Sequence, residues 1–277
     1  MVGFWEVASA ACGVIYLTAW SSSFYPQIIL NHRRRSTLGF SPDFALVNPI
    51  GFFCLTVWCW GAFFSKTARE QYAERHHGHH PQVSISDLAF SMHALVLSTI
   101  TLIQSAWYFH RHRQQRKNPT PGESHPLLQK EPDMSAAPTA PHTATQVGLV
   151  LIALVTLYEI TSLAMGRTQL LDFLYYASTI KLVITTIKYL PQAYLNYRIK
   201  TVIGFAISTI FLDITGGLFS LLQLVISSVF IDQAPSGIWA NPGKLGLSLL
   251  TLGFDTVFIL QKYVFYPEEE EYDEDDE

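Results

Sequence analysis

Two stretches of this sequence share one pattern: Phe24-Tyr-Pro-Gln-Ile-Ile-Leu-Asn31 and Tyr189-Leu-Pro-Gln-Ala-Tyr-Leu-Asn196. In each, an Asn follows the Gln by four positions, and a basic stretch comes next. Both then reach a Gly-Phe pair, Gly39-Phe40 in the first copy and Gly204-Phe205 in the second. Because the two copies stay in register over so many positions, we predict a duplicated structural unit that opens with each stretch.

Seven segments are apolar and long enough to cross a membrane as helices, which takes about 20 residues. They are roughly residues 5–29, 43–64, 86–109, 146–165, 170–195, 205–230 and 243–265. Only 14% of the residues are charged, against about 25% in soluble domains. The sequence lacks the alternating short strands of a membrane barrel. We therefore predict an all-α membrane protein with seven transmembrane helices, two parallel three-helix bundles joined by a linker helix.

The composition divides the chain into five parts. Residues 1–109 form the first three-helix repeat, 146–165 the linker helix and 166–266 the second repeat. Residues 110–145 contain six prolines among polar residues, which predicts a disordered cytoplasmic linker. Residues 267–277 form an acidic tail, also predicted to be disordered.

The loops predict how the chain lies in the membrane. Basic clusters follow the first, third and fifth spans, at Arg33–Arg35, Arg111–Lys117 and Arg198–Lys200. The loops on the other side carry few bases. The positive-inside rule therefore predicts a lumenal N-terminus and a cytoplasmic C-terminus.

The duplicated prolines, Pro26 and Pro191, lie near the cytoplasmic ends of the first and fifth spans. Proline removes a backbone donor and clashes with the preceding turn, so each can act as a hinge. Gln27 and Gln192 follow them and could satisfy the backbone groups that a bend exposes. We predict that the hinges gate the cytoplasmic side.

Ionisable side chains inside the spans are the candidates for chemistry. An isolated charge at membrane depth costs about 3 kcal/mol or more, and burial favours the neutral form of a carboxyl group. Asp213, with Gly216 and Gly217 after it, is the first candidate for proton coupling, and Asp255 could relay a proton to it. Lys181 and Lys188 share one face of the fifth span, about two turns apart. They could pair with these acids or bind a carboxylate. Asp87, in the first turn of the third span, is either a further coupling site or an acid favoured by the helix dipole.

The sequence offers no catalytic or metal motif. Its cysteines, Cys12, Cys54 and Cys59, lie in apolar runs without metal spacing, and we interpret them as core residues. The histidine cluster at 76–80 is interpreted as a solvated lumenal loop. We predict that the chain is not an enzyme and uses no cofactor and no metal. We also predict that it co-transports a proton.

These residues resemble the PQ-loop family, and within it the lysosomal symporters of cystine and protons. The likeness covers all seven spans and includes the segments Trp20–Gln27, Lys188–Asn196 and Leu212–Gln223. The resemblance implies export of cystine from an acidic lumen, with cystine, protons and membrane lipid as partners and no nucleic acid. It implies proton coupling by Asp87, Asp213 and Asp255. Together with the chain's own pattern, it gives a predicted substrate site of Trp20, Phe24, Gln27, Asn48, Lys181, Lys188, Asn196, Thr209 and Asp213.

One position departs from the family pattern. Thr209 stands where the family has an Asn that contacts substrate, so another cargo, such as a cationic amino acid, stays open. Seven spans with an outside start also suit a cargo or signalling receptor, although the repeat and the buried acids argue against it. The membrane of a lysosome, a vacuole or an endosome fits equally, and the oligomeric state is open.

Overall fold

The computed structural model describes residues 3–75, 81, 83, 85–117, 138, 140–231, 233, 235, 237–240 and 242–267. These residues contain helices and no strand. Seven helical segments among them are long and apolar enough to cross a membrane, which confirms the predicted all-α fold with seven candidate transmembrane helices. The arrangement as two parallel three-helix bundles with a linker helix stays a prediction. The histidine cluster, most of the linker and the acidic tail lie outside the described residues.

The seven spans are numbered in chain order. Spans 1 and 5 each consist of two helices, whereas the others are continuous, and spans 6 and 7 end in π-helical turns. Short helices also follow spans 2 and 6. The bounds are Phe4–Ser22 and Tyr25–Arg34 (span 1), Pro42–Phe64 (span 2), Lys66–Arg75, Ile85–Lys117 (span 3), Thr143–Ala164 (span 4), Leu170–Ile187 and Tyr189–Ile199 (span 5), Ile207–Val225 with Ile226–Ile231 (span 6), Gly237–Ala240, and Pro242–Leu260 with Gln261–Phe265 (span 7).

The duplicated sequence gives a duplicated backbone. Span 1 is interrupted at Ser23 and Phe24, and span 5 at Lys188, in each case just before the repeated proline. The nitrogen of each proline cannot donate to the carbonyl four residues before it, and the proline ring clashes with that carbonyl, which explains both breaks. Each second helix ends in a left-handed residue, Arg35 with φ 49° and Lys200 with φ 55°.

A glycine with positive φ completes each copy, Gly39 with φ 87° and Gly204 with φ 101°. This backbone region is open to glycine and strained for other residues. The two loops also approach each other closely, because a methyl group on Gly204 would meet the Cα atom of Gly39 at 2.8 Å. The two loops meet at Gly39 and Gly204, and this contact gives a steric reason for the equal spacing of the two copies.

The spans pack across the repeats as well as within them. Span 1 lies along span 6 and span 2 along span 5, while span 3 packs on span 2 and span 7 on span 6. The repeat relates span 1 to span 5 and span 2 to span 6, so the pair of spans 1 and 6 corresponds to the pair of spans 5 and 2. These four spans therefore surround the centre of the molecule. Side chains on these four spans can meet there.

Span 4 lies at the periphery. Of its residues only Ser162 is buried, and Thr156 Oγ1 lies 2.7 Å from the hydroxyl oxygen of Tyr176 on span 5. Its start is held by a side chain of span 2, since Asp43 accepts hydrogen bonds from the backbone N–H of His142 at 2.8 Å and from its ring at 2.6 Å. Span 4 therefore offers most of its apolar surface to lipid.

Candidate functional site

A buried polar cluster lies where spans 5, 6 and 7 meet. The Tyr189 hydroxyl donates to Asp213 Oδ2 at 3.0 Å. Lys188, at the break in span 5, is buried and lies within electrostatic range of both Asp213 and Asp255. Asp255 is fully buried, and within the described residues neither of its carboxyl oxygens has a hydrogen-bond partner. Two acids and one base thus share a site from which most water is excluded.

Lys181 extends the cluster toward span 2. Its ammonium group lies 3.6 Å from the centre of the Phe52 ring, a favourable cation–π geometry. Lys188 lies farther from the same ring, at 5.9 Å. One turn before Phe52, Asn48 is buried and its side-chain oxygen has no hydrogen-bond partner among the described residues. The side-chain oxygen of Asn48 is thus an unused acceptor, one turn from a ring that both lysines approach. Such a place is suited to a polar ligand.

Aromatic residues of span 1 form another wall. Phe24 meets Phe52 edge to face at 5.2 Å, and the indole of Trp20 lies against the backbone of span 6. A methyl group on Gly216 would overlap the Trp20 ring. Gly216 follows Asp213 by three positions, so the missing side chain lets Trp20 approach the acid's helix face.

Thr209 lies one helical turn before Asp213 on span 6. Its hydroxyl oxygen is buried and has no partner in the part of the chain that the structure describes. Residues four apart share a helix face, so Thr209 extends the polar face of Asp213. The structure therefore brings together seven predicted site residues, namely Trp20, Phe24, Asn48, Lys181, Lys188, Thr209 and Asp213.

Gln27 is placed elsewhere, in a contact between the repeats. Its amide donates to the Gly204 carbonyl at 3.0 Å and accepts from the Ala206 N–H at 2.9 Å. It also donates to Asn31 at 2.8 Å. The side chain is buried, and its oxygen and both of its amide hydrogens are bonded to protein in this conformation.

Gln192 makes the same contact in the opposite direction. It donates to the Gly39 carbonyl at 2.8 Å and accepts from the Ser41 N–H at 2.6 Å. It also donates to Asn196, which in turn donates to Gln261 on span 7 at 2.9 Å. Asn196 is therefore a buried structural partner here. We call these two sets of cross-repeat bonds, centred on Gln27 and Gln192, the latches.

Aromatic side chains separate the latches from the acids. Phe40, Phe205 and Phe258 are buried and pack with Tyr189, whose hydroxyl binds Asp213. Because Phe40 and Phe205 directly follow the latched glycines, this end of the molecule is closed by two layers, one of amides and one of rings.

Asp87 lies apart from the other acids. It is near Tyr16 of span 1 and Cys59 of span 2. Tyr16 meets Trp20 edge to face at 5.3 Å, which is the path from Asp87 toward the central cluster. Only two of the three predicted coupling acids, Asp213 and Asp255, share one cluster.

Sequence reasoning did not identify several residues of the site. Tyr189 was visible in the repeated stretch, but its bond to Asp213 depends on packing between spans 5 and 6. Phe52 has no sequence signal beyond its place one turn after Asn48. Pro49, inside the helix of span 2, is a further candidate for a bend that could have been identified, because proline in a helix interior weakens it.

The arrangement can bind a zwitterion and exchange a proton. The lysines can hold carboxylates, while Asn48, Thr209 and the acids can accept from ammonium groups. Two acids near one base cannot all keep their charges without cost in a buried site, so the gain or loss of one proton changes the balance. The latches beneath could couple that change to opening.

Comparison with known proteins gives the family. The PQ loop repeat profile matches residues 8–67 and 173–233, which contain both copies of the repeated stretch. The cystinosin homolog of Dictyostelium discoideum is 36% identical over 94% of this chain and 82% of its own length. Cystinosin of Drosophila melanogaster is 36% identical over 92% of this chain, which spans 57% of the length of that relative. The cystine transporter of Saccharomyces cerevisiae is 29% identical, with 91% of this chain and 92% of that protein covered. This chain belongs to the cystinosin family of PQ-loop repeat proteins.

Proposed function

We propose that this chain is a secondary transporter that exports cystine from an acidic lumen to the cytosol together with a proton. The single observation that carries the proposal is the buried cluster of Asp213, Asp255 and Lys188 where spans 5, 6 and 7 of the second repeat meet. Relatives named cystinosin and cystine transporter support cystine as the cargo. The membrane is that of a lysosome, vacuole or endosome, with the N-terminus lumenal and the C-terminus cytoplasmic.

Cystine fits the chemistry of the cluster. It carries two carboxylates and two ammonium groups, and Lys181 with Lys188 can hold a carboxylate. Within the described ranges of the chain, Asn48 and Thr209 have buried oxygens without hydrogen-bond partners, and these oxygens can accept from an ammonium group. Trp20 and Phe24 supply the walls against which the disulfide-linked centre of the molecule packs.

Asp213 is the proposed proton carrier. When it is anionic, the Tyr189 hydroxyl and Lys188 stabilise it. When cystine and a proton enter from the acidic side, Asp213 becomes neutral and Lys188 is released toward the substrate. Asp255 then exchanges the proton with Asp213, and Asp87 receives protons nearer the lumen.

Opening toward the cytosol requires the latches to break. The helix breaks before Pro26 and Pro191 are the places where spans 1 and 5 can bend. Bending there separates Gln27 from Gly204 and Gln192 from Gly39, and the aromatic layer parts with them. In this open state Gln27 and Asn196 are free to contact the substrate.

Uptake of labelled cystine into proteoliposomes tests the proposal. We expect uptake to rise when the side from which cystine enters is acidic, and Asp213→Asn to lose this dependence on the proton gradient. Asp172→Asn is the matched control, because Asp172 pairs with Arg75 at 2.6 Å at the far end of span 5. No cystine uptake under a proton gradient, or intact coupling in Asp213→Asn, contradicts the mechanism.

The buried hydroxyl of Thr209 favours a test of a second cargo. Competition by lysine, arginine and cystine against labelled cystine separates the two candidates. A cationic amino acid as the true cargo would compete more strongly than unlabelled cystine and would itself be taken up.

A further inference from the structure

A cavity lies outside the central cluster, at the end of the molecule that carries the basic loops. Its volume is about 580 Å³, within the usual range of ligand sites, about 300–1,000 Å³. The second helix of span 1, the loop at 201–206 and the starts or ends of spans 6 and 7 line it. Arg33, Arg34 and Lys262 are its charged lining residues, and none of its lining residues is acidic.

The rest of the lining is apolar. Ile29, Phe205 and Ile207 contribute to it, and Ile29 is 46% exposed on the outer face of span 1. The cavity therefore joins a basic rim at the ends of the spans to an apolar wall that continues along the spans. A membrane phospholipid has the same order of parts, a phosphate above hydrocarbon.

One of the basic groups is held in place by a bond of its own. Arg34 is buried and donates to the Leu38 carbonyl at 3.0 Å. Lys262 lies in the π-helical turn Gln261–Phe265, a rare geometry that is often found at functional sites. Gln261, the residue before it, is fixed by bonds to Asn196 and to the Ala193 carbonyl. A cation that is fixed as Arg34 is loses little entropy when it binds an anion.

The repeat supplies a comparison within the same chain. The counterpart of Arg34 in the second copy is Ile199, and the counterpart of the lining residue Ser208 is Asp43. Asp43 is bonded to His142 of the chain itself. The equivalent place in the other half is thus less basic and is covered by the protein.

We infer that this cavity binds the headgroup of an anionic phospholipid, with the acyl chains against span 1. Basic pockets between transmembrane helices at this level are suited to such headgroups. The wall of the cavity includes Gly204 and Ala206, the two residues that Gln27 holds. A bound lipid therefore stabilises the latched form of this end. The inference concerns lipid binding alone and does not depend on the identity of the transported solute.

Native mass spectrometry of the delipidated full chain tests the inference. The probes are dioleoyl phosphatidylglycerol, dioleoyl phosphatidylcholine and glycerol 3-phosphate at equal concentrations. We expect one tightly retained phosphatidylglycerol, and dissociation constants raised about fivefold by Arg33→Gln and by Lys262→Gln. Arg198→Gln, at the counterpart of Arg33, removes the same charge from the other half and is expected to bind as the unchanged protein does.

Three results would overturn the inference. Equal retention of the choline lipid would show that charge is not recognised. Equal weakening by Arg198→Gln would show a general surface attraction. Equal binding of glycerol 3-phosphate would make the site one for a free phosphate. Because Arg33 is exposed and Lys262 is partly exposed, both variants are expected to fold, and unchanged thermal unfolding midpoints check this.

Discussion

At the scale of single residues, the carboxyl group of Asp213 is bonded to a phenol. The Tyr189 hydroxyl donates to it at 3.0 Å, and Ser23 of span 1 is a second side-chain partner. A hydrogen bond to a charged group is worth about 1.5–3 kcal/mol. The phenol therefore stabilises this buried acid, and its loss leaves one of the bonds of the acid unmade.

Tyr189→Phe should lower cystine uptake. The variant keeps the ring within the aromatic layer but removes a hydrogen bond to the carboxyl group of Asp213. Because a hydrogen bond to a charged group is worth about 1.5–3 kcal/mol, we expect the uptake rate to fall about tenfold or more. Uptake into proteoliposomes measures it. Tyr194→Phe, on the exposed face of the same helix, is the control, and an equal loss in both variants would argue against the bond.

Gly216 and Gly217 form a second residue-scale test. A methyl group at Gly216 would overlap the Trp20 indole, whereas at Gly217 its nearest neighbour is Leu252 at 3.4 Å. We expect Gly216→Ala to lose about 1–3 kcal/mol through overpacking and Gly217→Ala to stay near the unchanged protein. Thermal unfolding of the two purified variants measures the difference. Equal midpoints would show that Trp20 moves aside at no cost.

At the scale of elements, the latches exchange partners between the repeats. Each glutamine binds the backbone of the other copy, so the two loops are held by two equivalent bonding sets. A buried backbone group that loses its partner costs about 1–3 kcal/mol. The closed end is therefore stable, yet each latch depends on one side chain.

Gln27→Ala should expose the Ala206 amide specifically. The variant leaves that N–H and the Gly204 carbonyl without partners, and a loss of about 3 kcal/mol corresponds to about a hundredfold faster hydrogen exchange. Gln192→Ala should accelerate the Ser41 amide instead. Exchange measured by mass spectrometry resolves the two peptides. Gln146→Ala, at an exposed glutamine of span 4, is the control, and unchanged exchange at Ala206 in Gln27→Ala would contradict the latch.

The sequence predicted the spans because their signal is local. Hydropathy over about 20 residues and the duplicated stretch suffice for seven helices and for the breaks before Pro26 and Pro191. The latches were beyond such reasoning, since Gln27 finds its partners 177 and 179 residues away. The prediction that Gln27 and Asn196 belong to the substrate site therefore rests on their polarity and position alone.

The spans could be predicted from the sequence and the latches could not, whereas the central cluster could be predicted in part. Polar residues inside apolar helices indicate function wherever they occur, so Asp213, Asp255 and Lys188 were predictable singly. Which acids share a site was not predictable, because it depends on the packing of spans 5, 6 and 7. Asp87 shows the difference, since it has the same sequence signal and lies beside Tyr16 and Cys59 instead.

At the scale of the whole molecule, the long interfaces between repeats must move during transport. Spans 1 and 6 touch even at the end opposite the latches, where Trp5 stacks on Phe230 at 4.0 Å and the hydroxyl oxygens of Ser9 and Ser227 lie 3.0 Å apart. Spans 6 and 7, in contrast, belong to one repeat and can move together. Covalent links at the two interfaces should therefore have different effects.

Ser9→Cys with Ser227→Cys should stop transport when the pair is oxidised. Paired cysteines need Cβ atoms about 3.5–4.5 Å apart, which adjacent hydroxyls at 3.0 Å allow after a small adjustment. We expect cystine uptake to fall at least about tenfold on oxidation and to recover on reduction, because a fixed link between spans 1 and 6 keeps the end opposite the latches closed. The control pair, Ser220→Cys with Ser248→Cys, links spans 6 and 7. The hydroxyl oxygens of Ser220 and Ser248 lie 3.1 Å apart, and oxidation of this pair should leave uptake unchanged. Full transport by the oxidised first pair would mean that the repeats do not separate at this end, and alternating access would then require motion along spans 2 and 5 alone.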